Sequence, residues 1–254
     1  MAIFSNSIIP AAAAAAAEDD VVTKSLRFNI SDSAYLSRTQ VSGSRTTWTF
    51  SAWVKRGDLT SSANQYFLTT DGASDNNFIG FYFGTDDTFR VTGWSNVFLK
   101  TTQVFRAPSS WYHIVIQANT TSGVAAERLR VWLNGSEITS WATDYRSSMS
   151  SISLGIGNTT DQAIGWETTG SNNEFGGYLA DVYLIDGTAL THTSFAEEDA
   201  TTGQWKPKAF VGVYGDNGFH LAFESSANIG LDSRGSGGAA VTWDTSKYRL
   251  AKPP

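Results

Sequence analysis

Trp94, in the run Gly93-Trp94-Ser95-Asn96, and Trp166, in Gly165-Trp166-Glu167, stand in loop-like, polar surroundings. Exposed rings in such settings stack on the apolar faces of pyranose sugars, and amides such as Asn96, Asn172 and Asn173 can bond the hydroxyls. The same indoles could instead fill a core or an oligomer contact, since nothing in the sequence brings such distant segments together. A second constellation is rich in oxygen. Asp71, Asp75, Asn76 and Asn77 share one segment, and Asp86 and Asp87 share a turn. Hard oxygen ligands of this kind suit calcium, with Asp71, Asp75 and Asn77 as the candidate set. Asp and Asn also recur in turns for their own backbone hydrogen bonds, and no established calcium-loop spacing is matched.

Other chemistry lacks its residues. The chain has no Cys and only three His, at positions 113, 192 and 220, so a disulfide scaffold, a thiol nucleophile and a structural zinc site are all excluded. No Gly-x-Ser-x-Gly elbow, His-Glu-x-x-His helix or Gly-Lys-Ser/Thr phosphate loop is present. His113 sits between Trp111 and Val115 in an apolar alternation, with no carboxylate that the sequence places beside it. It reads as a packed, hydrogen-bonded residue or, alternatively, as a general base. Asp181, among apolar neighbours, must be paired or hydrogen-bonded if buried; a calcium ligand is its alternative. The acidic run Glu197-Glu198-Asp199 reads as a solvated face.

The elements that must position these groups are strands. From residue 21 onward, short segments rich in Val, Ile, Phe, Trp, Tyr and Thr alternate with Gly, Asn, Asp and Ser. Strands are predicted over 25–29, 47–55, 65–70, 78–83, 88–92, 97–104, 111–119, 128–133, 151–156, 177–185 and 218–223. Trp48, Phe50, Ala52 and Val54 share one face of their strand; Thr49, Ser51 and Trp53 share the other. In 111–119 both faces carry apolar area, as in a strand inside a two-sheet sandwich. Asn134-Gly135 supplies the positive φ angles of a type I′ hairpin, which should fold 136–141 back on 128–133. With 254 residues and 23 Gly, the chain is long enough for one large core without staples.

A net charge of -6 with scattered Lys and Arg argues against a nucleic-acid surface. No apolar run approaches the roughly 20 residues that span a bilayer. Residues 1–24 differ from the rest: Ala2-Ile3-Phe4-Ser5-Asn6-Ser7-Ile8-Ile9-Pro10 precedes a run of seven Ala and an acidic triplet. There is no Lys or Arg before Lys24, which argues against a secretory leader. The segment reads as a frayed terminus, as a short helix from Pro10, or as an arm that orders when Ile3, Phe4, Ile8 and Ile9 dock on a partner.

Several motifs occur in order: Ser25-Leu26-Arg27-Phe28, Ser33-Ala34-Tyr35-Leu36, Trp48-Thr49-Phe50-Ser51-Ala52-Trp53-Val54-Lys55, Trp111-Tyr112-His113-Ile114-Val115, Val131-Trp132-Leu133-Asn134-Gly135 and Gly177-Tyr178-Leu179-Ala180-Asp181-Val182-Tyr183-Leu184. Together they resemble the concanavalin A-like lectin/glucanase superfamily, in particular its laminin-G-like jelly rolls. The resemblance implies an all-β, two-sheet antiparallel sandwich over 25–200 with a concave face and loops gathered at one rim; outside it, 1–24 is expected to be an anchoring arm and 201–254 a C-terminal extension with a strand on or beside the sandwich. Some laminin-G-like domains bind calcium at the rim, which is the cofactor to expect if there is one. Glycosidases on this sandwich carry paired carboxylates on one strand, as Glu-x-Asp-x-x-Glu or a close variant, and no such run occurs. The chain is therefore expected not to be an enzyme; Glu167 and Glu174 are the carboxylates by which a glycan-degrading alternative would be tested.

The flanks, including Thr202-Gly203-Gln204-Trp205-Lys206-Pro207-Lys208 and Gly218-Phe219-His220-Leu221-Ala222-Phe223, are similar to virion-associated proteins of tailed bacteriophages. That similarity implies a fibre or adhesin module on the particle exterior, held to other virion proteins by its arm and facing host surface glycans. A homo-oligomer with threefold symmetry is the expected assembly, and capsid decoration is the alternative role.

Overall fold

The computed structural model describes residues 22, 24–169, 173–234 and 241–246. Ile3, Phe4, Ile8, Ile9 and Asn172 lie outside the described residues. Among those described, the chain forms strands broken by four short 3-10 turns. The strands are β1 (Leu26–Phe28), β2 (Leu36–Thr39), β3 (Thr47–Arg56), β4 (Gln65–Thr70), β5 (Gly80–Phe83), β6 (Thr88–Thr92), β7 (Val97–Val104) and β8 (Tyr112–Asn119). They continue as β9 (Leu129–Leu133), β10 (Ser136–Glu137), β11 (Trp141–Asp144), β12 (Asp161–Ile164), β13 (Gly177–Asp186), β14 (Ala196–Glu198), β15 (Trp205–Pro207) and β16 (Phe219–Leu221).

Two antiparallel sheets of seven strands make a jelly-roll sandwich. The first runs β1-β13-β3-β8-β9-β10, with β16 also on β13; the second runs β11-β7-β6-β5-β4-β12-β2. Period two assigns the faces. Trp48, Phe50, Ala52 and Val54 of β3 are fully buried between the sheets, with Ile114, Ile116 and Ala118 of β8 beside them. The facing sheet contributes phenylalanines, and the layers meet ring to ring: Phe50 lies 5.2 Å from Phe81 and 6.2 Å from Phe67, and Trp48 lies 5.9 Å from Phe81.

The outer face of the first sheet is also covered. Val115, Trp132, Tyr183 and Ile185 point away from the main core and form a second cluster with Phe195 and Tyr214. The small β14–β15 pair belongs to the same layer, bringing Trp205 onto His113 and His192. The C-terminal segment is tied to the sandwich in two further places. β16 pairs with β13, and Ser37 of the edge strand β2 bridges Asp244. Arg38 sits between these attachments, 4.8 Å from the Phe219 ring and 5.1 Å from the Trp243 ring, donating to Gln162 Oε1 and the Asn217 carbonyl. Burial lowers its guanidinium to about 9, against the opposing charge of Asp232.

Two sequence expectations are corrected. The segment 151–156 is not a strand: Ser151 has φ 57, and the Leu154 N–H bonds the Arg45 carbonyl rather than a sheet neighbour. Its alternating Leu154 and Ile156 are nonetheless fully buried, so the pattern recorded burial without a ladder. The hairpin at Asn134 (φ 46) and Gly135 (φ 83) forms with Ser136 opposite Leu133 and Glu137 opposite Trp132. Its return strand stops there. Trp141 pairs with Thr101 of β7, because residues 138–140 carry the chain across to the other sheet.

Candidate functional site

The outward face of the second sheet holds a cross-strand row. Tyr66 of β4 stands opposite Tyr82 of β5, Tyr82 opposite Arg90 of β6, and Arg90 opposite Lys100 of β7. Their neighbours Phe67, Phe81, Phe83 and Phe89 face the core, so this register forces the tyrosines outward. The two tyrosine rings stack at 4.3 Å, with Phe78 edge-on to Tyr66 at 6.5 Å. Tyr66, Phe78 and Tyr82 form a small cluster of their own, separate from the core.

Two loops raise walls over this floor. The first is 93–96, the turn between β6 and β7. Asp75 holds it from outside: its carboxylate accepts from the Ser95 N–H at 2.6 Å, the Asn96 N–H at 3.2 Å and Asn96 Nδ2 at 2.5 Å. Gly93 permits this approach, because a Cβ there would lie 2.6 Å from Asp75 Oδ1 and from the Phe98 ring. The loop sets Trp94 edge-to-face on Phe78 at 6.0 Å with 48% of its surface exposed. The second wall is 166–169. Thr69 of β4 donates its hydroxyl to the Trp166 carbonyl at 2.9 Å and accepts from the Thr168 N–H at 3.3 Å, which brings Glu167 beside Tyr66.

Between the walls lies a groove of about 410 Å³, lined by Tyr66, Phe78, Tyr82, Trp94, Asn96 and Glu167 among others. Glu167 Oε1 accepts from Thr169 Oγ1 at 2.6 Å, and Asn173 Nδ2 donates to Oε2. Burial, the Tyr82 hydroxyl and the Glu167 charge push the Tyr66 hydroxyl far above the usual phenol range, so it stays protonated and can donate. The basic end of the row shares one carboxylate. Arg90 Nη2 and Lys100 Nζ both bind Asp86 Oδ2, at 2.9 and 2.8 Å. Burial raises the Asp86 carboxyl, but Lys100, Thr88 and Arg90 outweigh it and hold the group well below the carboxylate range.

The structure thus brings Trp94 and Asn96 into one groove and sets Asn173 behind its wall as a support for Glu167. Trp166 faces elsewhere, stacked on Tyr35 at 4.6 Å. Nothing in the sequence marks Tyr66, Phe78, Tyr82 and Thr169 as binding residues, and Glu167 is marked there only as a carboxylate of the glycan-degrading alternative. Their signal lies in pairing: the β4–β5 register alone makes Tyr66 and Tyr82 neighbours.

The oxygen-rich segment does other work. Asp75 is spent on the 93–96 loop, Asn77 Oδ1 accepts from Arg45 Nη2 at 2.9 Å, and Asp71 takes part through its backbone, bonding the Asp161 carbonyl. A cation on Asn77 would compete with that guanidinium, so these three residues as arranged do not fit a calcium ion. Asp87 pairs with Arg56 and Arg106. Among the described residues, no three His, Asp or Glu side chains are grouped to hold a metal.

His113 is fixed by two polar partners. Trp205 Nε1 is a donor only, so His113 Nδ1 accepts from it at 2.9 Å and the ring proton sits on Nε2, facing Ser51 Oγ at 2.9 Å. This is the reverse of a base that draws a proton from a hydroxyl. Burial, with His192 nearby, lowers the imidazole to about 3. Asp181, at φ 49 in a bulge of β13, is paired with His220 Nε2 at 2.6 Å.

A two-sheet antiparallel jelly roll with an aromatic-floored surface groove places the molecule among lectin-like sandwiches. The chain belongs to the concanavalin A-like lectin/glucanases superfamily, whose laminin-G-type family model matches residues 29–196. No curated protein matches it. Among solved structures it is similar to a native heptameric SAP-like pentraxin from Limulus polyphemus (19% identity, 62% of this chain and 71% of that one, TM-score 0.43). A Trypanosoma rangeli sialidase in complex with sialic acid is 14% identical over 59% of this chain and 22% of its own (TM-score 0.41). Domain 4 of AbnA, a GH43 extracellular arabinanase from Geobacillus stearothermophilus in complex with arabinotriose, is 19% identical over 58% of this chain and 64% of its own (TM-score 0.41). The expectation that the chain is not an enzyme is corrected by the family, which takes in glucanases as well as lectins. Membership therefore does not exclude catalysis, and by itself does not show it. No helix among the described residues is long and apolar enough to cross a membrane.

Proposed function

We propose that this jelly roll is a carbohydrate-binding module whose site is the groove over Tyr66, Phe78 and Tyr82. One observation carries the reading: a half-exposed Trp94, edge-on to Phe78, overhangs a floor of stacked tyrosines, with Asn96, Glu167 and Thr169 as polar walls. Apolar stacking surface beside a few convergent polar groups is what a pyranose ring requires. The similarity of the flanks to tailed-phage virion proteins supports a finer reading. The module would stand on the particle exterior as an adhesin for host surface glycans, in a homo-oligomer with a trimer favoured, its arm docking Ile3, Phe4, Ile8 and Ile9 on other virion proteins.

Glycan-array capture tests the reading, with bacterial surface oligosaccharides as probes. Trp94→Ala removes the overhanging ring without touching the core, so it is expected to weaken capture by about tenfold or more while leaving the melting temperature within a few degrees. Unchanged capture by the variant would mean that sugars bind elsewhere.

A further inference from the structure

Among the described residues, Glu167 is the one charged side chain that lines the groove. Resting on the glycan-binding reading above, we propose that the groove selects uncharged sugars bearing adjacent hydroxyls, held by Glu167, and rejects glycans that carry a carboxylate. The carboxylate offers about four acceptor positions. Among the described residues, Thr169 takes one on Oε1 and Asn173 one on Oε2, so each oxygen can accept one further donor. Two acceptors on one planar group match two hydroxyls on neighbouring ring carbons.

A uronate or sialic acid would instead bring a second negative charge against Glu167. Compensation would have to come from Arg90 or Lys100, and both are committed to Asp86. Arg90 meets the groove at Tyr82, with Nη1 3.5 Å from the hydroxyl and Cζ 5.6 Å from the ring centroid. Among the described residues, Arg90 and Lys100 are held at Asp86 beyond Tyr82 in the cross-strand row, so an anionic guest over Tyr66 meets the like charge of Glu167 first, in partly desolvated surroundings where an unpaired charge is costly. The chain's net charge of -6 adds a field of the same sign.

The test compares the full chain on two matched sets of immobilised probes: neutral hexose and N-acetylhexosamine oligosaccharides, and the same cores capped with sialic or glucuronic acid. The wild type is expected to capture the neutral set, with little change at high salt, and to leave the capped set unbound. Glu167→Gln keeps the shape but exchanges the anionic acceptor for an amide, so it is expected to weaken neutral capture by about tenfold or more. Glu167→Ala should weaken it at least as far, and thermal melts of both variants check that the sandwich is intact. Trp94-dependent capture of the capped set would overturn the charge selection while leaving the glycan-binding reading standing. Neutral capture that survives both Glu167 variants would overturn the role of the carboxylate, and no capture of either set would remove both proposals.

Discussion

Phe67→Ala is expected to destabilise the chain by about 3–5 kcal/mol, the range for deleting a large aromatic from a close-packed core. Phe67 is fully buried and lies within 6.3 Å, ring centre to ring centre, of Phe50, Phe81, Phe83, Phe89 and Phe175. It therefore joins the two sheets and the segment leading into β13. The ring cannot be replaced by local collapse, because its neighbours are themselves held in the strands β3, β5 and β6 and cannot all move inward. Single domains are commonly stable by only about 5–15 kcal/mol, so the variant should approach the margin of folding. Urea denaturation gives the shift in midpoint at constant slope. A loss below about 1 kcal/mol would mean that the ring cluster is not the seam between the sheets.

Acid should unfold the protein in part through a single imidazole. His113 is buried and neutral, with an imidazole lowered to about 3, whereas the unfolded chain takes up that proton near pH 6.5. Between these limits the unfolded state binds one more proton than the folded state. The stabilisation is then complete above about pH 6.5 and falls by about 1.4 kcal/mol per pH unit as the pH drops toward 3. Protonation would also cost the Trp205 indole its acceptor, and with it a tie between β15 and the first sheet. Ion-paired carboxylates such as Asp86 and Asp144 lose stability in the same direction at lower pH, so the contribution of His113 is read by difference. His113→Gln, whatever its stability at neutral pH, is expected to show a shallower decline between pH 6 and 4. Parallel declines would show that His113 does not carry the penalty.

The strands with strong alternation were legible because their burial is local information. In β3 the order Trp48, Phe50, Ala52, Val54 fixes the core face, and the positive φ of Asn134 and Gly135 follows from residue type. What could not be read depends on partners. β12, Asp161–Ile164, is too short and too mixed to announce itself, and becomes a strand by filling the gap between β2 and β4. Residues 151–156 show the converse, since Ile152, Leu154 and Ile156 alternate as in a strand yet find no edge to pair with.

The candidate site divides along the same line. Trp94 and Asn96 stood out as an indole and an amide in a glycine-flanked polar run, a pattern that Trp166 shares and that a packed ring fits equally well. Tyr66 and Tyr82 looked like any strand aromatics, and only the β4–β5 register shows them stacked on the outer face. Glu167 reaches the groove through the Thr69 hydroxyl, a contact with no sequence signature.

A crystal structure of the full chain with a captured neutral oligosaccharide tests the central claim most directly. The account predicts a sugar ring against Trp94 over the Tyr66–Tyr82 floor, with hydroxyls on Glu167. A sugar seated instead in the groove formed by residues 27–31, 55–58 and 176–178, with the 93–96 loop unoccupied, would contradict it.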